Sequence, residues 1–333
     1  MVRARPRISD VARLAGVSTA TVSRALSNPS MVTAETRATV AAAVKATGYR
    51  LNLTARNLRH SRTGGVLALV PNLANPFFSQ ILSGIAGVLG PAGYNLLVAD
   101  TRTSDPETLL AYAEPSRADG LIVLDGSLAA ESLARVPLVE ACEWIPGLQA
   151  PRVKIDNRAA AKLAIDHLVG LGHRRIGHVT GPTQNVLSIA RLAGTHEALA
   201  EHGLTLPDSA IYHGDFGLQS GQEAARQWLV QDPNTRPSAL FLASDEMACG
   251  LIGELHRQGL QVPRDLSVVG FDDIELIAHI APPLTTIRQP RADLGRIAAE
   301  SLLRLLSGEA APEGDHILPV ELVLRDSTAP WAD

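Results

Sequence analysis

The side chains near the start of this chain that are best suited to recognition chemistry are Ser18, Thr19, Ala20, Thr21 and Arg24. At the start of a helix lying in a DNA major groove, Thr19 offers a hydroxyl and a methyl, and Ala20 a methyl. These suit base edges and the thymine methyl, while Arg24 can fork onto guanine O6 and N7. Ser18 and Thr21 are better matched to phosphate. The local charge agrees. Residues 1–62 hold eleven basic side chains and two acids, Asp10 and Glu35, a net +9 in a chain whose formal net charge is −4. The other 271 residues carry 19 basic and 32 acidic groups. A basic arm on an acidic body points to an anionic partner held at one end.

Catalytic spacings are missing. Gly84, Gly87 and Gly90 do not have the GxGxxG spacing and fall within a helix, and no GxxxxGK[ST] phosphate loop occurs. His196-Glu197 begins like a zinc motif, but the next histidine is His202 rather than the i+4 position that shared ligation requires. No Ser or Cys has a nucleophile-elbow context. The reading is therefore of a protein that is not an enzyme, with no catalytic residue, metal or cofactor. Cys142 and Cys249 define neither a disulfide framework nor a zinc site. No apolar run reaches the ~20 residues that span a bilayer. The opening MVRARPRISDVA leads into no apolar h-region. A cytoplasmic protein without membrane contact is expected.

These side chains need elements to hold them. Ser9 is placed to cap a helix over 10–15 that Gly16 ends, and Ser18 to cap a second over 19–27. Thr33 is placed to cap a third to about 47, with Gly48 beyond it. Val22 with Leu26, and Val40 with Val44, share inward faces. Two short helices joined through a glycine turn and braced by a third form the helix-turn-helix pattern. Residues 50–63 are short, polar and basic, a linker that becomes helical only when something holds it. From Gly64, apolar runs at 66–70, 95–99, 120–124, 176–180, 239–243 and 267–271 alternate with amphipathic segments at 76–89, 157–171, 189–202, 217–230 and 247–258. That alternation predicts an α/β fold of parallel sheets covered by helices on both faces. The body is too long for one ordinary sheet, so two doubly wound lobes are expected, with a cleft at the carboxyl ends of their strands.

The motifs resemble one family. Asp10-Val11-Ala12, Ala15-Gly16-Val17-Ser18 and Thr21-Val22-Ser23-Arg24 are similar to the opening of the LacI/GalR regulators, as are Gly48-Tyr49, Asn52 and Ala55-Arg56-Asn57-Leu58. The resemblance continues through Asn75-Pro76-Phe77-Phe78, Gly172-His173-Arg174-Arg175-Ile176, Ser244-Asp245-Glu246-Met247-Ala248 and Gly270-Phe271-Asp272-Asp273, and closes at Arg325-Asp326-Ser327-Thr328. It covers nearly the whole chain.

That resemblance implies a repressor whose homodimer reads a near-palindromic double-stranded DNA operator, with a small-molecule effector bound in a core like that of periplasmic binding proteins. It divides the chain into a helix-turn-helix domain (1–50), a hinge (51–63), an amino-proximal lobe (64–159 and 289–318) and a carboxy-proximal lobe (160–288 and 319–333). In the hinge, Leu58 would wedge into the central minor-groove step. Ala55 would let paired hinge helices approach, and Asn52 belongs to the same DNA-contacting set. Leu51 departs from the pattern, since many relatives carry proline there. In the cleft, the resemblance implies Phe77, Phe78, Asp125, Arg191, Phe216, Ser244, Asp245 and Asp272 as effector contacts, with Phe216 stacking and Arg191 and Asp272 on hydroxyls. Within the family, Glu143, Pro146, Ile155-Asp156-Asn157 and the stretch 270–291 are most similar to its cytidine-responsive branch, which implies a nucleoside effector. A sugar or nucleobase effector, or a soluble sensor without a DNA role, are the alternatives. Thr195 stands where many relatives carry an aromatic ring.

Overall fold

The computed structural model describes residues 6–49, 62–130, 133, 136–310 and 314–331. Asn52, Ala55 and Leu58, the expected hinge contacts, lie outside the described residues. The chain divides into two units, one running to Thr63 and one from Gly64.

In the first unit, α1 (Ile8–Ala15), α2 (Thr19–Ser27) and α3 (Ala34–Thr47) follow one another through short turns. Ser9 lies inside α1 rather than capping it. The cap position is Arg7, whose backbone N–H donates to the Asp10 carboxylate at 2.9 Å. Gly16 ends α1 at φ +67°, a left-handed conformation that glycine adopts without Cβ strain. Ser18 and Thr33 cap α2 and α3 as expected, accepting from the N–H groups of Thr21 and Thr36. The core consists of short side chains: Val11, Ala12, Ala15, Val22, Ala25, Val40 and Ala43. Leu26 and Val44 pack at its margin.

In the second unit the described residues form two six-stranded sheets, numbered here in chain order. The first holds β1 (Gly65–Val70), β2 (Asn95–Asp100), β3 (Gly120–Val123), β4 (Leu138–Ala141), β5 (Arg152–Ile155) and β11 (Asp315–Leu318), in the order β2-β1-β3-β4-β5-β11. The second holds β6 (Ile176–Thr180), β7 (Ile211–His213), β8 (Ala239–Leu242), β9 (Ser267–Asp272), β10 (Thr285–Arg288) and β12 (Glu321–Val323), in the order β7-β6-β8-β9-β10-β12. Among the described residues only β10 and β12 pair antiparallel. The wholly buried β1, β3 and β8 are the continuous apolar runs that strands covered on both faces require.

The covering helices are α4 (Phe77–Leu89), α5 (Pro106–Tyr112), α6 (Asn157–Gly170), α7 (Val186–Glu201), α8 (Leu218–Leu229), α9 (Asp245–Arg257) and α10 (Arg291–Leu306). Six of them pack in pairs: α4 with α10, α6 with α7, α8 with α9. The first pair is tight for a reason visible in the sequence. A Cβ added at Gly84 would lie 2.1 Å from the Ala292 carbonyl oxygen, and one at Gly295 would lie 2.0 Å from that of Ile81. Glycine at both positions lets the two backbones touch.

The chain passes between the sheets three times: from β5 to α6, from β10 to α10, and from β11 to β12. The expected boundary after 159 falls inside α6, because Asp156 caps that helix directly after β5 by accepting from Arg158 and Ala159. Strands β4 and β5 do not stand out as apolar runs. Their charged residues pair sideways instead: Arg152 donates to Glu140 on β4 at 2.8 Å, and Lys154 reaches Asp315 on β11.

Candidate functional site

Both sheets turn the carboxyl ends of their strands toward one cavity of about 630 Å³. It lies beside the points where strand order reverses, between β1 and β3 and between β6 and β8. That is where open α/β sheets bind ligands. From the first sheet come Asn72 after β1, Asp125 and Ser127 after β3, Glu143 after β4, and Phe77 and Phe78 at the start of α4. The second sheet supplies Asn185 and Arg191 of the α7 segment, Asp215 and Phe216 after β7, and Asp272 at the end of β9.

Three aromatic rings give the cavity its apolar surface. Phe77 and Phe78 meet edge to face, with centroids 5.0 Å apart. Phe216 sits opposite on a strained backbone, at φ +67°. Its ring fits because residue 181 is glycine: a Cβ there would come within 2.2 Å of the ring.

Arg191 is the buried cation of the site. Its guanidinium lies over the Phe271 ring at 3.6 Å from the centroid, with Phe216 at 5.8 Å on another side. Nε donates to Asn157 at 2.9 Å, and one terminal nitrogen donates to the Ala243 carbonyl. Burial lowers its pKa to about 10, so it remains charged at neutral pH. Behind it, Thr195 donates to the Arg191 carbonyl, which leaves the Thr195 oxygen to accept from Nδ1 of buried His178 at 2.8 Å. In place of a ring, the threonine fastens the arginine-bearing turn to the sheet.

The carboxylates differ from one another. Asp272 is pushed up to about 7 by burial, against the pull of Arg191, Gln289 and Arg291. Its Oδ1 accepts from Gln289 at 2.7 Å. Glu143 is likewise raised by burial, and the Gly126 N–H donating to it at 2.8 Å counteracts only part of that. Asn185, from the other lobe, faces the same carboxylate. Asp125 accepts from the Ser127 N–H at 2.8 Å and from the Thr101 hydroxyl. A ligand here meets hydrogen-bond acceptors on both walls, two arginines (buried Arg191 and exposed Arg102) and three rings.

Of the effector contacts expected from sequence, Phe77, Phe78, Asp125, Arg191, Phe216 and Asp272 line the cavity. Ser244 and Asp245 do not. Ser244 caps α9, accepting from Met247 and donating to the Phe216 carbonyl at 2.9 Å, so it supports the ring from behind. Asp245 is fully buried and accepts from the Ile274 N–H at 2.9 Å and the Thr286 hydroxyl at 2.6 Å. Burial, with Asp272 close by, raises its pKa. Ser244 thus ties α9 to the Phe216 turn, and Asp245 ties it to β10 and the turn after β9. Glu143, Asn185 and Asp215 also line the cavity, beyond the contacts expected from sequence. All three follow strand carboxyl ends, and two of those strands, β4 and β7, are too short or too polar to stand out in sequence.

In the first unit, Ser18, Thr19, Ala20 and Arg24 are exposed on α2 and Thr21 is half-buried. The hydroxyls of Ser18 and Thr21 lie 2.9 Å apart, so the capping serine and the threonine engage each other. Thr19 and Ala20 are exposed at the helix start, and Arg24 Nε donates back to the Ala20 carbonyl at 3.4 Å.

Known proteins match over both units. Residues 7–52 match the family model described as bacterial regulatory proteins, lacI family. Residues 165–328 match a periplasmic binding protein-like domain. The HTH-type transcriptional repressor CytR of Escherichia coli strain K12 is 38% identical over 328 residues, covering 96% of each chain. A lac repressor dimer bound to operator and the anti-inducer ONPF superposes with a TM-score of 0.85 at 31% identity, covering 98% of this chain and 99% of that one. A LacI family regulator from Enterococcus faecium with bound ribose gives 0.72 at 26% identity, over 80% of this chain and all of that one.

Proposed function

From the premise that this chain belongs to the LacI family, as a DNA-binding transcriptional repressor with a ligand-binding core, we propose that its effector is a nucleoside. The observation that carries this reading is the set of groups around one cavity. Three phenylalanine rings suit a flat base, while Arg191 and Asp272 suit the hydroxyls of a ribose. A cavity of about 630 Å³ is within the usual range for small-molecule sites, roughly 300–1,000 Å³. The four lining carboxylates, Asp125, Glu143, Asp215 and Asp272, outnumber the two arginines, Arg102 and Arg191, which favours an unphosphorylated ligand. The ribose held by the Enterococcus faecium relative is consistent with the sugar half of a nucleoside and also with a second reading, a free pentose.

In this account the protein acts as a homodimer on a near-palindromic operator. Thr19, Ala20 and Arg24 read base edges, Ser18 and Thr21 fix the helix on the backbone, and Asn52, Ala55 and Leu58 act at the hinge. Ligand draws the lobes together and changes the spacing of the two hinge segments. A thermal-shift series of nucleosides, nucleobases and pentoses tests the assignment. A ligand at 100 times its Kd adds about 2.7 kcal/mol of stability. Nucleosides should shift the transition and free bases should not. A pentose shifting it as far as any nucleoside would replace the first reading by the second.

A further inference from the structure

The chain turns sharply at the end of β9, where two consecutive non-glycine residues have left-handed backbone: Asp272 at φ +118° and Asp273 at φ +55°. Such conformations cost free energy and persist only when the surroundings hold them. Asp272 points into the cavity, and Asp273 points away from it. The Asp273 carboxylate accepts from Arg288 Nε at 2.6 Å and from Arg325 at 2.6 Å. Its carbonyl accepts from Arg291 at 2.9 Å. Arg325 also donates to the Leu284 carbonyl at 2.7 Å, which fixes that guanidinium against the turn before β10.

These partners share a location. Arg288, Gln289 and Arg291 make up the segment where the chain crosses from β10 to α10, from one sheet to the other. Arg291, 6% exposed, continues across the cleft: it also contacts Glu275 at 3.0 Å and lies 3.5 Å from the Phe77 carbonyl. Gln80 of α4 donates to the same Glu275 carboxylate. One short corner therefore touches the cavity through Asp272, the crossing segment through Asp273, and the opposite lobe through Arg291.

We propose that Asp273 is a positioning residue for the ligand site: clamped by Arg288 and Arg325, it holds the strained corner that places the Asp272 carboxylate in the cavity and ties cavity occupancy to the interlobe crossing. The second half of this inference rests on the cavity being the effector site. The first half does not. Asn at 273 would keep a side chain tolerant of left-handed backbone and lose the charge that both arginines grip. The corner would then relax, and Asp272 would swing toward water.

The unliganded full-length protein tests the first half. The Asp272 carboxyl carbon is followed by ¹³C NMR from pH 4 to 9 and assigned by its loss in Asp272→Asn. In the folded protein Asp272 faces Arg191 from α7, Asp245 and Glu246 from α9, Arg291 from α10 and Cys142 after β4. Its titration midpoint therefore reports whether it is in place. Wild type should titrate near 7. Asp273→Asn and Arg325→Gln should each lower the midpoint by at least one unit, and Arg325→Lys should restore part of the shift. Glu300→Gln, which breaks an exposed pair on α10 with Arg296, should leave it in place. A midpoint unchanged in both Asp273→Asn and Arg325→Gln overturns the proposal. Because no ligand is present, failure of the effector reading cannot produce that result. For the second half, Asp273→Asn should reduce the ligand-induced change in operator affinity at least fivefold. A full-sized change would overturn it, and a wild type unresponsive to every ligand would refute the effector reading alone.

Discussion

Asp272→Asn should separate ligand recognition from DNA binding. Oδ1 of Asp272 already accepts from Gln289 at 2.7 Å, so Oδ2 is the oxygen left for a ligand hydroxyl. The variant forfeits one hydrogen bond to a charged group, about 1.5–3 kcal/mol. That corresponds to roughly 10–150-fold weaker effector binding. The pH profile adds a second signature. With its pKa raised to about 7, Asp272 is partly protonated at neutral pH, and a donating hydroxyl binds the ionised form better. Wild-type affinity should climb from pH 6 to 8 and then flatten, while the variant stays flat. Stability runs the other way. A carboxyl raised from 3.8 to about 7 on folding costs stability as pH rises through that window. Relative to wild type, the unliganded variant should therefore gain on the order of 1 kcal/mol per unit between pH 4 and 7. Calorimetric titration at pH 6, 7 and 8, with denaturant melts at the same values, measures both. Binding within twofold of wild type with an unchanged pH profile would remove Asp272 from the site.

Other perturbations have equally definite outcomes. Gly295→Ala places a Cβ 2.0 Å from the Ile81 carbonyl and should cost about 1–3 kcal/mol, seen as a lower thermal midpoint. Buried His178 is lowered to about 3, so its contribution is complete above about 6.5 and declines as pH falls below that. Against wild type, His178→Phe should gain about 1.4 kcal/mol per unit from pH 6 down to 4 in urea melts. Arg24→Ala should weaken operator binding by about 1–3 kcal/mol and relax discrimination at one base position, measured on operators substituted one pair at a time. Leu58→Ala should reduce binding to the operator far more than to random duplex, because a wedge acts only at a kinkable step.

A residue can be placed from sequence only where the physical signal it carries is local. The apolar strands β1, β3, β8 and β9 announce themselves because both of their faces are covered. The capping of α2 by Ser18 and α3 by Thr33 follows from side-chain chemistry alone. By contrast, β5 hides behind Arg152 and Lys154, whose charges are neutralised only by neighbouring strands distant in sequence. Because β4 does not stand out, nothing local puts Glu143, which follows it, at a strand end facing the cavity. Ser244 and Asp245 look like cavity residues because they end a strand, yet the cap of α9 and the β9 corner consume their polar groups. A strand-end position brings a residue near the cleft; which way the side chain turns is decided by partners up to 41 residues away, such as Thr286. The charge asymmetry of the opening 62 residues needed no structure to read, and it agrees with the family match over 7–52.

Occupancy of the cleft should set the affinity for DNA. The most direct test is fluorescence anisotropy of a labelled near-palindromic operator, titrated with the full-length protein with and without the nucleoside that most raises the thermal transition. A coupling of about 1–3 kcal/mol predicts binding curves displaced roughly 5–150-fold, and a displacement largely abolished in Asp272→Asn. Superimposable curves at ligand saturation would show that the cleft and the DNA-binding helices are not coupled.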